Sequence, residues 1–292
     1  MKTSPECLPC FLRQADYAGS LATSDPKLRA AILDQVKEYL EGLDMEKSPP
    51  QNAIGLYQII SRISGNPDPF APLKRQSNDL ALRLRPQVEA LILQGGDPMF
   101  RAILFAIAGN IIDYGSQQDF DLDKALRQCL ENHLVINDYE ALCHDLRQAR
   151  TVLYLADNCG EIVFDDMLID QLPAIITMAV KGGPIINDAA MNDAMFCGLG
   201  QKYRIVTNGT TCPGTPLGQC GKEFEKLFAE ADVVISKGQG NFETLSEVKR
   251  PIFHLLTVKC SVVANHAAEA KKYPGLIPSG AAILMRLGAL QV

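Results

Sequence analysis

The feature that most limits how this chain can fold begins near residue 150, where short apolar runs start to alternate with helix-like stretches. Thr151–Ala156, Ala174–Val180, Tyr203–Thr207, Asp232–Ser236 and Ile252–Val258 are short and apolar, and most are rich in β-branched residues. Ile162–Gln171, Ala190–Gly200, Leu217–Ala229, Asn241–Val248 and Val262–Lys272 fall between or after them as helix-like segments. Strands alternating with helices predict an α/β fold with a mostly parallel, doubly wound sheet, a three-layer αβα arrangement. Ligands of such sheets bind beyond the carboxyl ends of the strands.

The first half is different in kind. Apolar residues recur at three- and four-residue spacing over Phe11–Ala22, Asp25–Leu43 and Gln51–Ser64. Gly65-Asn66-Pro67-Asp68-Pro69 interrupts that pattern, a long helix follows from about Ala71 to Gly95, and Pro86 is a point where it could kink or divide. Asp97-Pro98 opens a further apolar helix through Ile112, and no strand-like alternation stands out before residue 150. The expected organisation is a helical region over 1–148 and an α/β domain over 149–292.

Bulk properties narrow the function. With 47% hydrophobic and 21% charged residues, the composition is that of an ordinary globular protein. No apolar run reaches the ~20 residues of a membrane helix, and the start, Met1 to Glu6, lacks a signal peptide's apolar core. A formal charge of −6 argues against a general nucleic-acid surface. Nine scattered cysteines predict reduced thiols and a cytoplasmic setting. Cys7-Leu8-Pro9-Cys10 has redox or half-zinc spacing, but no second pair lies near it in sequence.

The strand ends carry the chemistry. Thr151–Ala156 stops at Asp157-Asn158-Cys159-Gly160-Glu161. Neighbouring strand residues face opposite sides, so Asp157 and Asn158 converge only where the strand breaks into a turn, which Gly160 permits. Such a pair suits a hard divalent cation; it also suits an Asx turn with a helix cap. The later ends read Lys181-Gly182-Gly183-Pro184-Ile185-Ile186-Asn187-Asp188, Asn208-Gly209-Thr210-Thr211-Cys212-Pro213-Gly214-Thr215, Lys237-Gly238-Gln239-Gly240-Asn241-Phe242-Glu243 and Lys259-Cys260. Glycines let backbone N–H groups approach an anion, and lysines neutralise phosphate oxygens. A single loop of this kind would be an ordinary turn; four on one rim fit a phosphate-plus-metal site better. Neither a Walker loop nor a dinucleotide fingerprint occurs.

Other groups are weaker. Asn110 and Asp113 share a helix face and either cap that helix or reach toward the strand rim. His133, His144, His254 and His266 form no His-x-x-x-His pair, and no Gly-x-Ser-x-Gly elbow exists.

Taken together, Asp157-Asn158-x-Gly160-Glu161, Lys181-Gly182-Gly183-Pro184 with Asn187-Asp188, Ser236-Lys237-Gly238-x-Gly240-Asn241 and Gly109-Asn110-x-x-Asp113 resemble the damage-control phosphatase family, long catalogued as domain of unknown function eighty-nine. Cys7-x-x-Cys10, Asp68-Pro69-Phe70 and Lys74–Leu82 resemble its compact prokaryotic branch. The resemblance implies a divalent-metal phosphohydrolase acting on small damaged or excess phosphometabolites. It implies metal ligation by Asp157, Asn158 and Asp188, and it sets Lys237, Gly238 and Asn241 against the phosphate. Glu161, Gly182, Asn187, Asn110, Asp113 and Lys259 complete the expected substrate-facing set. Oxygen ligands favour Mg²⁺ or Mn²⁺, with Co²⁺ or Ni²⁺ compatible by intrinsic affinity. Water is the preferred nucleophile, with direct attack by Asp157 as the alternative. The expected partner is a small phosphorylated metabolite, with no nucleic acid and no membrane; oligomeric state is not set. A carboxyl methyltransferase and a non-enzymatic module built on Cys7 and Cys10 are the rival readings.

Overall fold

The computed structural model describes residues 1–110, 122–131 and 133–288. Five helices open the chain: α1 (Cys7–Ala22), α2 (Pro26–Glu41), α3 (Pro49–Ser64), α4 (Ala71–Leu93) and α5 (Pro98–Ile107). Their starts are written in the sequence. Asp25 accepts the Lys27 N–H at 2.8 Å, Asp97 accepts those of Met99 and Phe100, and Pro26, Pro49 and Pro98 each stand at the first helical position. The first three helices bury Phe11, Ala15, Ala18, Ile32, Val36, Leu56 and Ile60 in a core of their own. Pro86 lies inside α4 without dividing it; Leu84, Val88 and Ile92 on either side remain buried against the central core.

The rest alternates: α6 (Leu122–Glu131), β1 (Ile136–Asn137), α7 (Tyr139–Leu146), β2 (Thr151–Leu155), α8 (Glu161–Ile169), β3 (Ile175–Val180), α9 (Met191–Phe196), β4 (Arg204–Thr207), α10 (Lys222–Glu230), β5 (Val233–Lys237), α11 (Gln239–Leu245), β6 (Ile252–Thr257), α12 (Ser261–Lys271) and β7 (Ala282–Leu287). The seven strands form one sheet in the order β1-β7-β6-β5-β2-β3-β4, parallel throughout except at β6–β7. The fold is the mixed α/β architecture that the alternation predicts. Two strands lie outside the predicted set. Ile136–Asn137 is too short to show alternation, and it brings the first half of the chain into the sheet beside β7. Ala282–Leu287 follows the last helix and turns antiparallel to β6.

Strand β2 lies inside the sheet, between β5 and β3, and is buried on both faces. Val152 and Tyr154 pack toward α4, α5 and α8, while Leu153 and Leu155 pack toward Phe224 and Phe228 of α10. From β2 the chain winds outward to β3 and β4 on one side, and then returns to β5 on the other. The reversal opens a crevice between the carboxyl ends of β2 and β5, where doubly wound sheets bind ligands.

Candidate active site

Two loops meet at that crevice because their backbones pair. The Ala189 N–H donates to Asp157 O at 2.7 Å and the Cys159 N–H to Asn187 O at 2.8 Å. Asn158 and Asp188 form an isolated antiparallel bridge. The side chains of Asp157, Asn158 and Asp188, 31 residues apart at the extremes, are thereby brought together at one cleft. A third turn closes on them from β5. Gly238 (φ +82°) donates its N–H to Leu255 O at 2.9 Å, and a Cβ there would fall inside the Asp157 carboxylate. Only glycine fits so close an approach with that backbone.

The acids are buried and repel each other. Burial, then the Asp188 and Glu161 charges, pushes the Asp157 carboxyl up to about 8. Burial raises Asp188 as well, against the pull of Lys181. Among the described residues Asp188 Oδ2 accepts no hydrogen bond, and it stands 3.4 Å from the Lys181 ammonium. Asn158 directs its amide at Asp157 Oδ2 (3.0 Å) and Glu161 Oε1 (2.9 Å), so its carbonyl oxygen is the atom left to offer. Among the described residues no three His, Cys, Asp or Glu side chains gather as a metal cluster. Two carboxylates and one carboxamide are instead the oxygen donors that converge.

Beneath them lies an ionic layer. Lys237, 1% exposed, bonds Asp165 Oδ1 at 2.6 Å and Glu161 Oε2 at 3.3 Å. Burial alone would lower its pKa, but Asp165 and Glu161 outweigh that and hold it above its ordinary value. Tyr154 donates its hydroxyl to Asp165 at 2.8 Å, and Gly109 packs its bare Cα against Glu161. Lys181 bonds Asn241 Oδ1 at 3.0 Å and Gly214 O at 3.2 Å. Asn241 then spans the crevice floor, its amide reaching Lys237 O (2.8 Å) and Ala156 O (3.2 Å).

The helical region roofs the site. A cleft of about 1020 Å³ is lined by Asp157, Asn158, Asn187, Asp188 and Lys259 below, and by Cys7, Cys10, Tyr57 and Phe70 among others above. Helix α4 clamps the two parts together: Asn78 Oδ1 accepts the Gly160 N–H at 2.6 Å, and Lys74 pairs with Asp68 (2.7 Å) and Asp193 (3.7 Å).

Not every expected residue faces this cleft. Lys237 is absent from its lining, both of its ion pairs being made beneath the floor. Gly182 turns aside to donate its N–H to Thr210 O at 2.8 Å. Asp113 lies outside the described residues, as does the side chain of Asn110. Sequence reasoning gave no individual role to Asp165, Tyr154, Asn78 or Glu243. Asp165 left a trace, since it sits four residues after Glu161 on α8, a helix whose remaining positions are nearly all apolar.

Known proteins share this fold. The profile described as "Damage-control phosphatase ARMT1-like domain" matches residues 3–273. The chain belongs to that family. It is 34% identical to a damage-control phosphatase of Pyrococcus horikoshii over 293 residues, 98% of each chain. It is 32% identical to one of Archaeoglobus fulgidus over 275 residues, 91% of this chain and 95% of that one. The crystal structure of a DUF89 family protein from Pyrococcus horikoshii superposes with a TM-score of 0.88 at 32% identity, covering 98% of this chain and 99% of that one. Among the described residues no helix is long and apolar enough to cross a membrane.

Proposed function

We propose that this phosphatase is a divalent-metal-dependent phosphomonoesterase acting on small phosphometabolites, including damaged or surplus ones. Family membership supplies the enzyme class. The observation that carries the metal is the unbalanced pair Asp157 and Asp188, both buried, with Asp188 Oδ2 accepting no hydrogen bond among the described residues. A divalent cation would satisfy both carboxylates and the Asn158 carbonyl oxygen at once. Bound there, it would polarise a phosphoryl oxygen and acidify water.

The chain's own groups do the rest. Lys259 lines the cleft and is the lysine open to a phosphate oxygen. Lys237 contributes from below by fixing Glu161, which in turn orients Asn158. Water is the favoured nucleophile, because Asp157 is committed to the cation; oxygen-18 from solvent found in Asp157 after turnover would reverse that choice.

The deciding experiment is phosphate release from sugar phosphates, nucleotides and cofactor-derived phosphates by chelated protein resupplied with Mg²⁺, Mn²⁺, Co²⁺ or Ni²⁺. Activity should need metal and no methyl donor, which separates the reading from a carboxyl methyltransferase. Asp157→Ala and Asp188→Ala should each lose bound metal; unchanged content in both refutes the ligand assignment. A module built on Cys7 and Cys10 would instead lose function in Cys7→Ser/Cys10→Ser and keep it in Asp157→Ala.

A further inference from the structure

One buried acid at the cleft has no part in the chemistry assigned so far. Glu243 lies on α11, one turn beyond Gln239, on the helix that Gly238 opens and that carries Asn241 to the crevice floor. It is 7% exposed, yet it lines the same cleft as Asp157, Asn158, Asp188 and Lys259. Its side chain is held in place: Gln239 Nε2 donates to Glu243 Oε1 at 2.9 Å, and Gln239 Oε1 accepts the Lys259 N–H at 2.9 Å. Among the described residues no Lys, Arg or His stands within ion-pair distance of it. The groups around it are few. Gln239 comes from its own helix, Lys259 from the end of β6, the terminal amino group from Met1, and the thiols of Cys7 and Cys212 from α1 and the loop after β4. Burial pushes its carboxyl up to about 7, against the weaker pulls of Gln239, the terminal amino group and Lys259.

Cleaving the phosphate ester of an ordinary alcohol leaves a strongly basic oxygen, which departs readily only if a proton reaches it. The other buried acids and lysines near the cleft are committed. Asp157 and Asp188 would be taken up by the cation, and Lys181 and Lys237 are held in ion pairs.

We propose that Glu243 is the general acid of the reaction, giving its carboxyl proton to the bridging ester oxygen as the phosphorus–oxygen bond breaks. The water oxygen forms the new bond to phosphorus. The electron pair of the broken bond stays on the leaving oxygen, and the Glu243 proton turns that oxygen into a hydroxyl. The proton shed by the water passes to solvent, and solvent reprotonates Glu243 before the next turnover. This assignment rests on the phosphomonoesterase reading above.

The test compares two probes with metal-supplemented protein: glycerol 1-phosphate, whose alkoxide needs a proton, and p-nitrophenyl phosphate, whose phenolate does not. Glu243→Gln preserves shape and can still hydrogen-bond Gln239. It should lower kcat/KM for glycerol 1-phosphate by about 10²-fold and leave p-nitrophenyl phosphate nearly unchanged, with bound metal intact. Wild-type protein should show a basic limb in kcat/KM for glycerol 1-phosphate that is missing with p-nitrophenyl phosphate. This comparison decides the matter even if the variant fails to fold. Difference infrared titration of wild type against Glu243→Gln should place a carboxyl protonation near neutrality. Equal losses on both probes, no loss on either, or identical basic limbs would overturn the assignment. Phosphate release from neither probe by wild type would overturn the phosphomonoesterase reading, and this one with it.

Discussion

Lys237 shows how a lysine can matter at a site without touching what binds there. Its ammonium is buried and satisfied by Asp165 and Glu161, and Glu161 passes that order on to the Asn158 amide. Removing one partner of a buried ion pair leaves the other charge uncompensated and typically costs about 3–5 kcal/mol. Lys237→Met should therefore destabilise the fold and weaken metal affinity together with kcat, since Glu161 is then free to turn from Asn158. Calorimetric metal titration beside kcat measurement checks this: normal metal affinity with lowered kcat alone would mean that Lys237 acts directly on phosphate. The sequence pattern drew attention to Lys237 through its glycine-rich turn, but it could not disclose what the ammonium meets. Asp165 leaves only its i, i+4 spacing from Glu161 on a wholly buried helix, and Tyr154 lies within a buried strand where nothing in the local pattern marks a polar contact.

At the scale of elements, the site depends on three turns approaching more closely than side chains normally allow. Gly238 is the tightest of them, with a left-handed φ and its Cα against the Asp157 carboxylate. Gly238→Ala adds a Cβ where the carboxylate sits and strains the backbone, each a cost of about 1–3 kcal/mol. Expected are a lowered melting temperature and a larger relative loss of metal affinity, because Asp157 must move. Thermal unfolding with and without Mn²⁺ measures both, and a variant with wild-type metal-induced stabilisation would show that Asp157 does not hold the cation. Elements of this kind were legible where they repeat. Alternating apolar runs and helical stretches exposed the central parallel strands, and glycine after a strand end exposed the turns. Strand β1 was not legible, because two residues carry no period, and strand pairing at β7 depends on a neighbour, β6, that local sequence does not name. The clasp of Asn78 on the Gly160 N–H was hidden for the same reason: it joins residues 82 apart.

For the whole molecule, a cleft between a helical roof and a sheet rim requires both parts to stay folded together, and one buried group sets how acid loosens them. His254 lies in β6 between β5 and β7, fully buried, its ring edge-on to Phe242 at 5.3 Å and, among the described residues, neither ring nitrogen hydrogen-bonded. Burial lowers its pKa from 6.5 to about 3. The unfolded chain thus takes up a proton at this residue below pH 6.5, whereas the folded chain does so only near pH 3. Between those values the unfolded state binds more protons, so stability rises with pH, is complete above the unfolded pKa, and drains away on acidification. The slope from one such group is at most about 1.4 kcal/mol per pH unit. Asp157, Asp165 and Glu243, whose carboxyls are raised, act in the opposite sense, but they are common to wild type and a His254 variant and cancel in the difference. His254→Phe should therefore flatten the acid limb of stability between pH 6 and 4, leaving the two proteins diverging most at the acid end. Urea unfolding at stepped pH measures this directly, and parallel stability curves for the two proteins would show that His254 is not the group through which acid opens the sheet.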